Sequence, residues 1–170
     1  MSGFERKAII KMREWRGYGN HKALLVRGMR QVGKTFLIKR FAESDYKSFI
    51  YVNLEREKSV REIFETGDRT FESIVERLQF ETRVKLYGGR SAIILDEIQF
   101  CPEAFSSLKA LAEPGIYDII ASGSLLGILL GSGDDGEGLS PVGYVNILDM
   151  YPMDFEEWLW ARGFEKRHTE

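Results

Sequence analysis

The sequence predicts an α/β fold, in which helices cover both faces of a five-stranded, mainly parallel sheet. Short apolar segments recur along the 170 residues, and each is bounded by polar residues or turn signals. Several of these segments are almost wholly apolar rather than alternating, which is typical of strands that are buried on both faces. Segments with helical spacing lie between them. This alternation favours a three-layer domain with right-handed crossovers.

Five segments are expected to form the strands. They are ALLV from Ala23, FIYVNL from Phe49, AIIL from Ala92, DIIAS from Asp118 and YVNIL from Tyr144. The clearest helix between them places apolar residues on one face, namely Phe71, Ile74, Val75 and Leu78. Gly88 and Gly89 follow this pattern, and we expect them to end the helix.

Both ends of the sequence are expected to be helical. An N-terminal helix is predicted at about 3–16, where charged and apolar residues interleave. Near the C-terminus, Asp154 and Glu157 have the spacing of a capping box, which predicts a short helix after Asp154. Phe155, Trp158 and Leu159 share one face of this helix, and we expect that face to pack against the core.

Composition bounds the class of protein. A length of 170 residues fits one domain, 1–170, and we expect it to be the N-terminal part of a longer protein. The formal net charge of -2 excludes a wholly basic nucleic-acid-binding domain. One cysteine, Cys101, cannot close a disulfide within the chain, which favours a cytoplasmic location. No segment has the pattern of a signal peptide or membrane span. The Gly- and Ser-rich tract at 131–143 predicts a mobile surface loop.

A phosphate-binding motif follows the first predicted strand. Residues 28–35 read GMRQVGKT, which matches the Walker A spacing G-x-x-x-x-G-K-[ST]. Glycines let the backbone wrap around phosphate oxygens, Lys34 can reach the β- and γ-phosphates, and Thr35 can bind Mg²⁺. The residues expected to contact ATP or ADP are Gly28, Met29, Arg30, Gln31, Val32, Gly33, Lys34, Thr35 and Phe36.

The third predicted strand ends in two acids, Asp96 and Glu97. Ligands bind at the C-terminal ends of strands in open α/β sheets, so this pair belongs at the same edge as the Walker A loop. An aspartate in this position can hold Mg²⁺ through its water shell, and the adjacent glutamate can polarise the attacking water. We therefore expect Asp96 and Thr35 at the metal and Glu97 at the water.

Other polar residues end neighbouring strands. The amide of Asn53 could restrain Glu97 until a partner binds, and the hydroxyl of Ser122 or Ser124 could report the γ-phosphate. The alternative is that these residues are turn formers, which strand ends often carry. The sequence leaves both interpretations open.

Two other nucleotide-binding classes fit the sequence less well. A GTPase would carry an N-K-x-D motif, and its acidic strand end would read D-x-x-G rather than DEIQ. A small-molecule kinase would carry an arginine-rich lid and would lack a glutamate directly after the aspartate.

A role on nucleic acid would depend on basic residues in the N-terminal helix, namely Arg6, Lys7, Lys11, Arg13 and Arg16. A solvated face on a packed helix is the alternative for these charges.

Taken in order, the segments GMRQVGKT, YVNLE, LDEIQFCP, ASGSLL and PVGYVNILDMYPMDFEEWL resemble a prokaryotic AAA+-like P-loop ATPase family. The resemblance spans nearly the whole chain. It implies a three-layer P-loop NTPase core with strand order 5-1-4-3-2. It also implies phosphate and metal contacts from Lys34, Thr35 and Asp96, a catalytic glutamate at Glu97, and a sensor at Ser122 or Ser124. Members usually continue into a C-terminal domain of poorly known role.

One position departs from the family pattern. Members often carry a basic residue where Tyr144 stands in this sequence. An arginine finger is then expected from a second copy of the chain or from a C-terminal domain.

The expected activity is Mg²⁺-dependent ATP hydrolysis that couples the nucleotide state to an attached domain or partner, without membrane contact. The alternatives are a signalling-type switch with little turnover and a nucleic-acid-associated ATPase.

Overall fold

The computed structural model describes residues 6–19, 22–124, 143 and 145–164. Its five strands form one sheet. In chain order they are β1 (Ala23–Gly28), β2 (Ser48–Asn53), β3 (Ser91–Asp96), β4 (Asp118–Ser124) and β5 (Val145–Met150). Across the sheet the order is β2-β3-β4-β1-β5, and every neighbouring pair is parallel. This is the predicted order 5-1-4-3-2 seen from the opposite edge, so the predicted sheet is confirmed.

Six α-helices and one 3-10 turn accompany the strands in the described part of the chain. The helices are α1 (Lys7–Gly17), α2 (Lys34–Asp45), α3 (Lys58–Glu65), α4 (Phe71–Thr82), α5 (Pro102–Ala112) and α6 (Phe155–Ala161). The 3-10 turn, Ile98–Phe100, lies between β3 and α5. Among the described helices, none is both long enough and apolar enough to cross a membrane.

The two faces of the sheet bury separate apolar clusters. Successive side chains of a strand point to opposite faces, and β3 shows the consequence. Ile93 and Leu95 pack with α3, α4 and α5, whereas Ala92 and Ile94 pack with α1 and α2. Every residue of β3 is buried. The predicted arrangement of helices on both faces is therefore confirmed.

Helix α4 ends earlier than the sequence suggested. Its last residue is Thr82, and Arg83 follows in the left-handed region with φ of 56°. The chain then continues without regular structure, and Gln79 Oε1 accepts a hydrogen bond from the Leu86 backbone at 2.9 Å. The prediction that Gly88 and Gly89 end the helix was wrong. A non-glycine residue adopts the helix-ending conformation, and Gly89 belongs to the turn before β3.

Helix α6 has the predicted cap but the opposite packing. Asp154 and Glu157 form a complete capping box. The apolar face was expected in the core, yet Phe155 is 74% exposed and Trp158 is 44% exposed, and of the three predicted residues only Leu159 is partly buried. Glu157 is buried instead, because its carboxylate pairs with Arg6 next to α1 at 3.1 Å. A charge pair, rather than an apolar stripe, therefore fixes the orientation of α6.

Two sequence predictions fall mainly outside the described residues. They are the surface loop at 131–143, of which only Gly143 is described, and the position of Tyr144, where members of the family often carry a basic residue. The predicted N-terminal helix at about 3–16 is described from Lys7 to Gly17.

The register of the sheet sets which residues meet at the C-terminal ends of the strands. It places Gly28 beside Ser124 and Asn53 beside Asp96.

Candidate nucleotide site

The loop between β1 and α2 has the backbone of a close turn. Gln31 and Gly33 both adopt the left-handed region, with φ of 64° and 94°. A Cβ on Gly28 would lie 2.3 Å from the carbonyl oxygen of Met150, so only glycine fits where β1 meets β5. The first turn of α2 carries no acidic residue. The partial positive charge of this helix N-terminus is therefore available to an anion.

Lys34 is buried inside this loop. Its Nζ atom donates to the carbonyl oxygens of Gly28 at 2.9 Å and Met29 at 2.8 Å. Burial lowers the pKa of Lys34, and the charge of Arg30 acts in the same direction, whereas Glu97 and Asp96 oppose the shift. A buried ammonium group held only by neutral carbonyls is costly. The loop therefore holds a positive charge that a phosphate group would stabilise.

Asp96 is the centre of the hydrogen-bond network at this edge. Its Oδ2 atom accepts from Thr35 Oγ1 at 2.8 Å and from the Tyr51 hydroxyl at 2.6 Å. Its Oδ1 atom accepts from Ser122 Oγ and from the Glu97 backbone at 3.1 Å. Burial and the bond to Asp96 both raise the pKa of Tyr51. Side chains from α2, β2 and β4 thus converge on one buried carboxylate.

Glu97 lies next to this carboxylate in an uncommon backbone conformation. Its φ of 55° places it in the left-handed region, where it begins the 3-10 turn. Its Oε2 atom accepts a hydrogen bond from Gln99 Nε2 at 2.5 Å. Glu97 is half-buried, whereas Asp96 is almost completely buried. The two acids therefore occupy different surroundings, which suits different chemical roles.

Asn53, Ser122 and Ser124 have distinct positions. Asn53 Oδ1 accepts from the backbones of Glu55 and Arg56, each at 3.1 Å, which is the turn-forming use that the sequence left open. Ser122 contacts Asp96. Ser124 is buried at the end of β4, next to Gly28 of the Walker A loop in the sheet register.

The remaining residues that were predicted to contact nucleotide lie in the loop or in the first turn of α2. Val32 is partly buried against the core of α1 and α2. Arg30 and Gln31 are exposed. Met29 is 69% exposed and Phe36 is 62% exposed. Their apolar side chains are thus accessible beside the loop.

The residues at this edge fit Mg²⁺ and a nucleotide phosphate. Thr35 Oγ1 and Asp96 Oδ2 lie 2.8 Å apart, and both are the hard oxygen ligands that Mg²⁺ prefers. Among the described residues, no lysine or arginine forms an ion pair with Asp96. A buried carboxylate without a cationic partner, beside a buried lysine and a free helix N-terminus, is chemically suited to a metal–phosphate ligand.

Residues 20–159 match a protein family that is described as AAA domain. The chain belongs to this family. An AAA domain is a nucleotide-binding domain of the ATPase type, which agrees with the Walker A loop and with the sheet order.

Two solved structures share the fold of this AAA domain. The structure of AMPPCP-bound DnaA from Aquifex aeolicus has a TM-score of 0.52 and 18% identity, covering 91% of this chain and 50% of that chain. The structure of Drosophila ORC bound to DNA has a TM-score of 0.53 and 12% identity, covering 87% of this chain and 94% of that chain. The chain thus spans about half the length of the DnaA chain. No curated protein sequence matches it.

Sequence reasoning missed two side chains of this AAA domain. Tyr51 lies two residues before Asn53 on the same face of β2, and its longer side chain reaches Asp96. Gln99 is part of the DEIQ motif and contacts Glu97. The spacing of Gln99, two residues after an acid that needs a partner, was the available signal. For Tyr51 the signal was the two-residue period of a strand.

Proposed function

We propose that this AAA domain binds ATP and ADP with Mg²⁺ and hydrolyses ATP. The single observation that carries the proposal is the hydrogen bond of 2.8 Å between Thr35 Oγ1 and Asp96 Oδ2. It joins the Walker A helix to the acidic end of β3, which are 61 residues apart in the chain. Two motifs that a chance match would leave apart therefore meet at one point.

Lys34 and the loop would bind the phosphates. The Nζ atom now donates to two loop carbonyls, and these bonds can be exchanged for bonds to phosphate oxygens. Bonds from an ammonium group to phosphate oxygens are charge-assisted and stronger than bonds to neutral carbonyls. The N-terminus of α2 adds its own favourable partial charge. Binding thus relieves the cost of the buried lysine.

Thr35 and Asp96 would hold the metal, with Ser122 and Tyr51 orienting the Asp96 carboxylate. Mg²⁺ in such a site neutralises charge on the phosphate oxygens. Glu97 would act as the general base and take a proton from the attacking water. A half-buried carboxylate directly after a metal-facing one suits this division of labour.

The nucleotide state would be coupled to a domain or partner outside this chain. Met150 ends β5, and its backbone lies against Gly28 at the start of the Walker A loop. The next residue, Tyr151, is held through its carbonyl oxygen by Arg6 at 2.7 Å. A change in the loop would thus reach the contact between α1 and α6. We propose a second copy or a C-terminal domain as the source of an arginine finger, and a cytoplasmic location.

A role on DNA has less support than ATP hydrolysis. Four of the five basic residues near α1 already pair with acids of the same chain, namely Arg6 with Glu157, Lys7 with Asp154 and Glu156, Arg13 with Asp45, and Arg16 with Asp45 and Asp118. Charges that are neutralised in this way contribute little to the release of counterions from DNA. The DNA in the ORC structure therefore gives no argument for this surface.

The proposal is tested by phosphate release from Mg-ATP over a range of protein concentrations. Glu97→Gln is the matched variant, because it keeps the size of the side chain and removes the base. We expect Glu97→Gln to bind AMPPCP as the parent does and to lower turnover by roughly 100- to 10,000-fold. Turnover per chain that rises with concentration would indicate that a neighbouring copy completes the site.

Two results would contradict the proposal in different ways. AMPPCP binding without turnover at any concentration would replace the ATPase with a nucleotide switch. Turnover that survives in Glu97→Gln would assign the activity to another residue or to a contaminating enzyme.

A further inference from the structure

We propose that Gln99 is the positioning residue for Glu97, an inference that rests on the proposed ATP hydrolysis. The Nε2 atom of Gln99 donates to Oε2 of Glu97 at 2.5 Å. A carboxylate only accepts hydrogen bonds, so the nitrogen of the amide, and not its oxygen, must face it. The bond is charge-assisted and therefore stronger than a bond between neutral groups. It fixes one carboxylate oxygen and leaves Oε1 of Glu97 to act on water.

The other end of the same amide shows that this bond has a cost. Gln99 Oε1 is inaccessible to solvent and has no hydrogen-bond partner in the described part of the chain. An unpaired buried carbonyl is unfavourable, and native proteins contain few of them. A methionine or leucine would fill the same space without that cost. The presence of an amide here is explained by the bond that its nitrogen makes to Glu97.

The backbone holds Gln99 and Glu97 in a fixed relation. Glu97 begins the 3-10 turn in the left-handed region, and the Phe100 backbone donates to the Glu97 carbonyl at 3.1 Å. Between the two polar residues, Ile98 is fully buried and anchors the turn in the core. A left-handed conformation is strained for a glutamate, and such strain is maintained only where the surroundings impose it. The turn thus brings the amide back onto the carboxylate.

The other amide considered from the sequence is engaged elsewhere. Asn53 Oδ1 accepts two backbone hydrogen bonds in the turn after β2. Gln99 therefore takes the place that sequence reasoning gave to Asn53, but with a different effect. It holds the base in one orientation rather than restraining it until a partner binds.

The test is Gln99→Met, which keeps the length of the side chain and removes both the donor and the unpaired carbonyl. We expect kcat for Mg-ATP to fall by roughly 10- to 100-fold, since a misplaced base is a poor one. We expect the KM and the affinity for AMPPCP to stay unchanged. The melting temperature should equal or exceed that of the parent. A merely structural glutamine would give the opposite pattern, with lower stability and unchanged kcat.

The matched control is Gln79→Met. This variant also removes an amide with a defined bond, here from the Leu86 backbone to Gln79 Oε1. Because that bond is distant in sequence from Glu97 and belongs to α4, we expect a lower melting temperature and an unchanged kcat. Gln99→Met should therefore lower kcat without lowering the melting temperature, and Gln79→Met should lower the melting temperature without lowering kcat.

An unchanged or raised kcat in Gln99→Met would overturn the inference, as would a loss of kcat with weaker AMPPCP binding or with a melting temperature below that of Gln79→Met. AMPPCP binding without turnover in the parent would also overturn it and would leave nucleotide binding intact. Failure of the parent to bind AMPPCP would instead refute the proposed function itself.

Discussion

Asp96 is the residue on which the hydrogen bonds of the site converge. It is buried, it accepts hydrogen bonds from three hydroxyl groups, and it has no cationic partner among the residues described. The three hydroxyl groups fix the orientation of this carboxylate, which is what the proposed metal ligand requires.

We predict that Asp96→Asn weakens nucleotide binding in Mg²⁺ by about tenfold, or about 1.4 kcal/mol, because the variant loses the proposed carboxylate ligand of the metal. Binding in EDTA should be unchanged. Titration of AMPPCP under both conditions measures the difference. The control is Asp118→Asn at the N-terminal end of β4, away from the loop. The Asp118 carboxylate likewise accepts a hydrogen bond from a tyrosine, Tyr46, at 2.7 Å. Equal losses with and without Mg²⁺ would contradict a metal role.

At the residue scale, motif residues could be predicted and their partners could not. Lys34, Thr35 and Asp96 follow from spacing, because the chemistry requires those side chains at those offsets. The contact of Tyr51 with Asp96 depends on the register of β2 against β3 and on the length of the side chain. The two-residue period of β2 places Tyr51 on the same face as Asn53, but the register against β3 is not visible in β2 by itself. The turn-forming role of Asn53 was one of two open interpretations for the same reason.

At the scale of elements, α1 and α6 are joined by a buried charge pair. Glu157 Oε1 accepts from Arg6 Nε at 3.1 Å and from the Lys7 backbone at 2.8 Å. One glutamate therefore contributes to the caps of two helices. Arg6 and Glu157 are distant in the chain, so their pairing could not be read from the sequence. Glu157 is buried in this pair, whereas Phe155 and Trp158 of the same helix are exposed.

We predict that Glu157→Gln lowers the free energy of unfolding by about 3–5 kcal/mol, since it leaves the Arg6 charge buried and unpaired. The control is the neighbouring Glu156→Gln. Glu156 pairs with Lys7 at the surface, where Lys7 also pairs with Asp154, so the loss of Glu156 should leave the free energy of unfolding nearly unchanged. Urea denaturation of both variants measures the difference. Equal costs would show that burial does not strengthen the Arg6 pair.

Helix ends were harder to predict than helices. The apolar period placed α4 correctly, because Ile74, Val75 and Leu78 are all buried. The end was assigned to Gly88 and Gly89, since glycine is the usual residue in the left-handed region. Arg83 adopts that conformation instead. Local spacing predicts which face is buried, but it does not give the residue at which the chain leaves the helix.

At the scale of the whole molecule, the sheet and the Walker A loop depend on one close contact. Gly28 ends β1, and its missing side chain lets the carbonyl of Met150 approach from β5. The strand order came from the family resemblance, because near-continuous apolar strands give no order by themselves. The parallel arrangement and the two buried faces followed from the residues.

We predict that Gly28→Ala destabilises the fold by about 1–3 kcal/mol or more, because the new methyl group would overlap backbone atoms that cannot move aside cheaply. AMPPCP binding should weaken as well, since the same residue begins the loop. The control is Gly17→Ala, where nothing lies within 4 Å of the added Cβ, and its stability should be unchanged or higher. Thermal unfolding with and without AMPPCP measures both effects. An innocuous Gly28→Ala would contradict the close contact.

We propose that the Walker A loop and Asp96 form one binding site for Mg-nucleotide. The most direct test is calorimetric titration of ATP into the protein with Mg²⁺, repeated with Lys34→Ala. We predict one site per chain and an affinity that falls by roughly 10- to 100-fold in Lys34→Ala, because the variant loses a charge-assisted bond to phosphate. Absence of binding in the parent, or equal affinity in both proteins, would contradict the account.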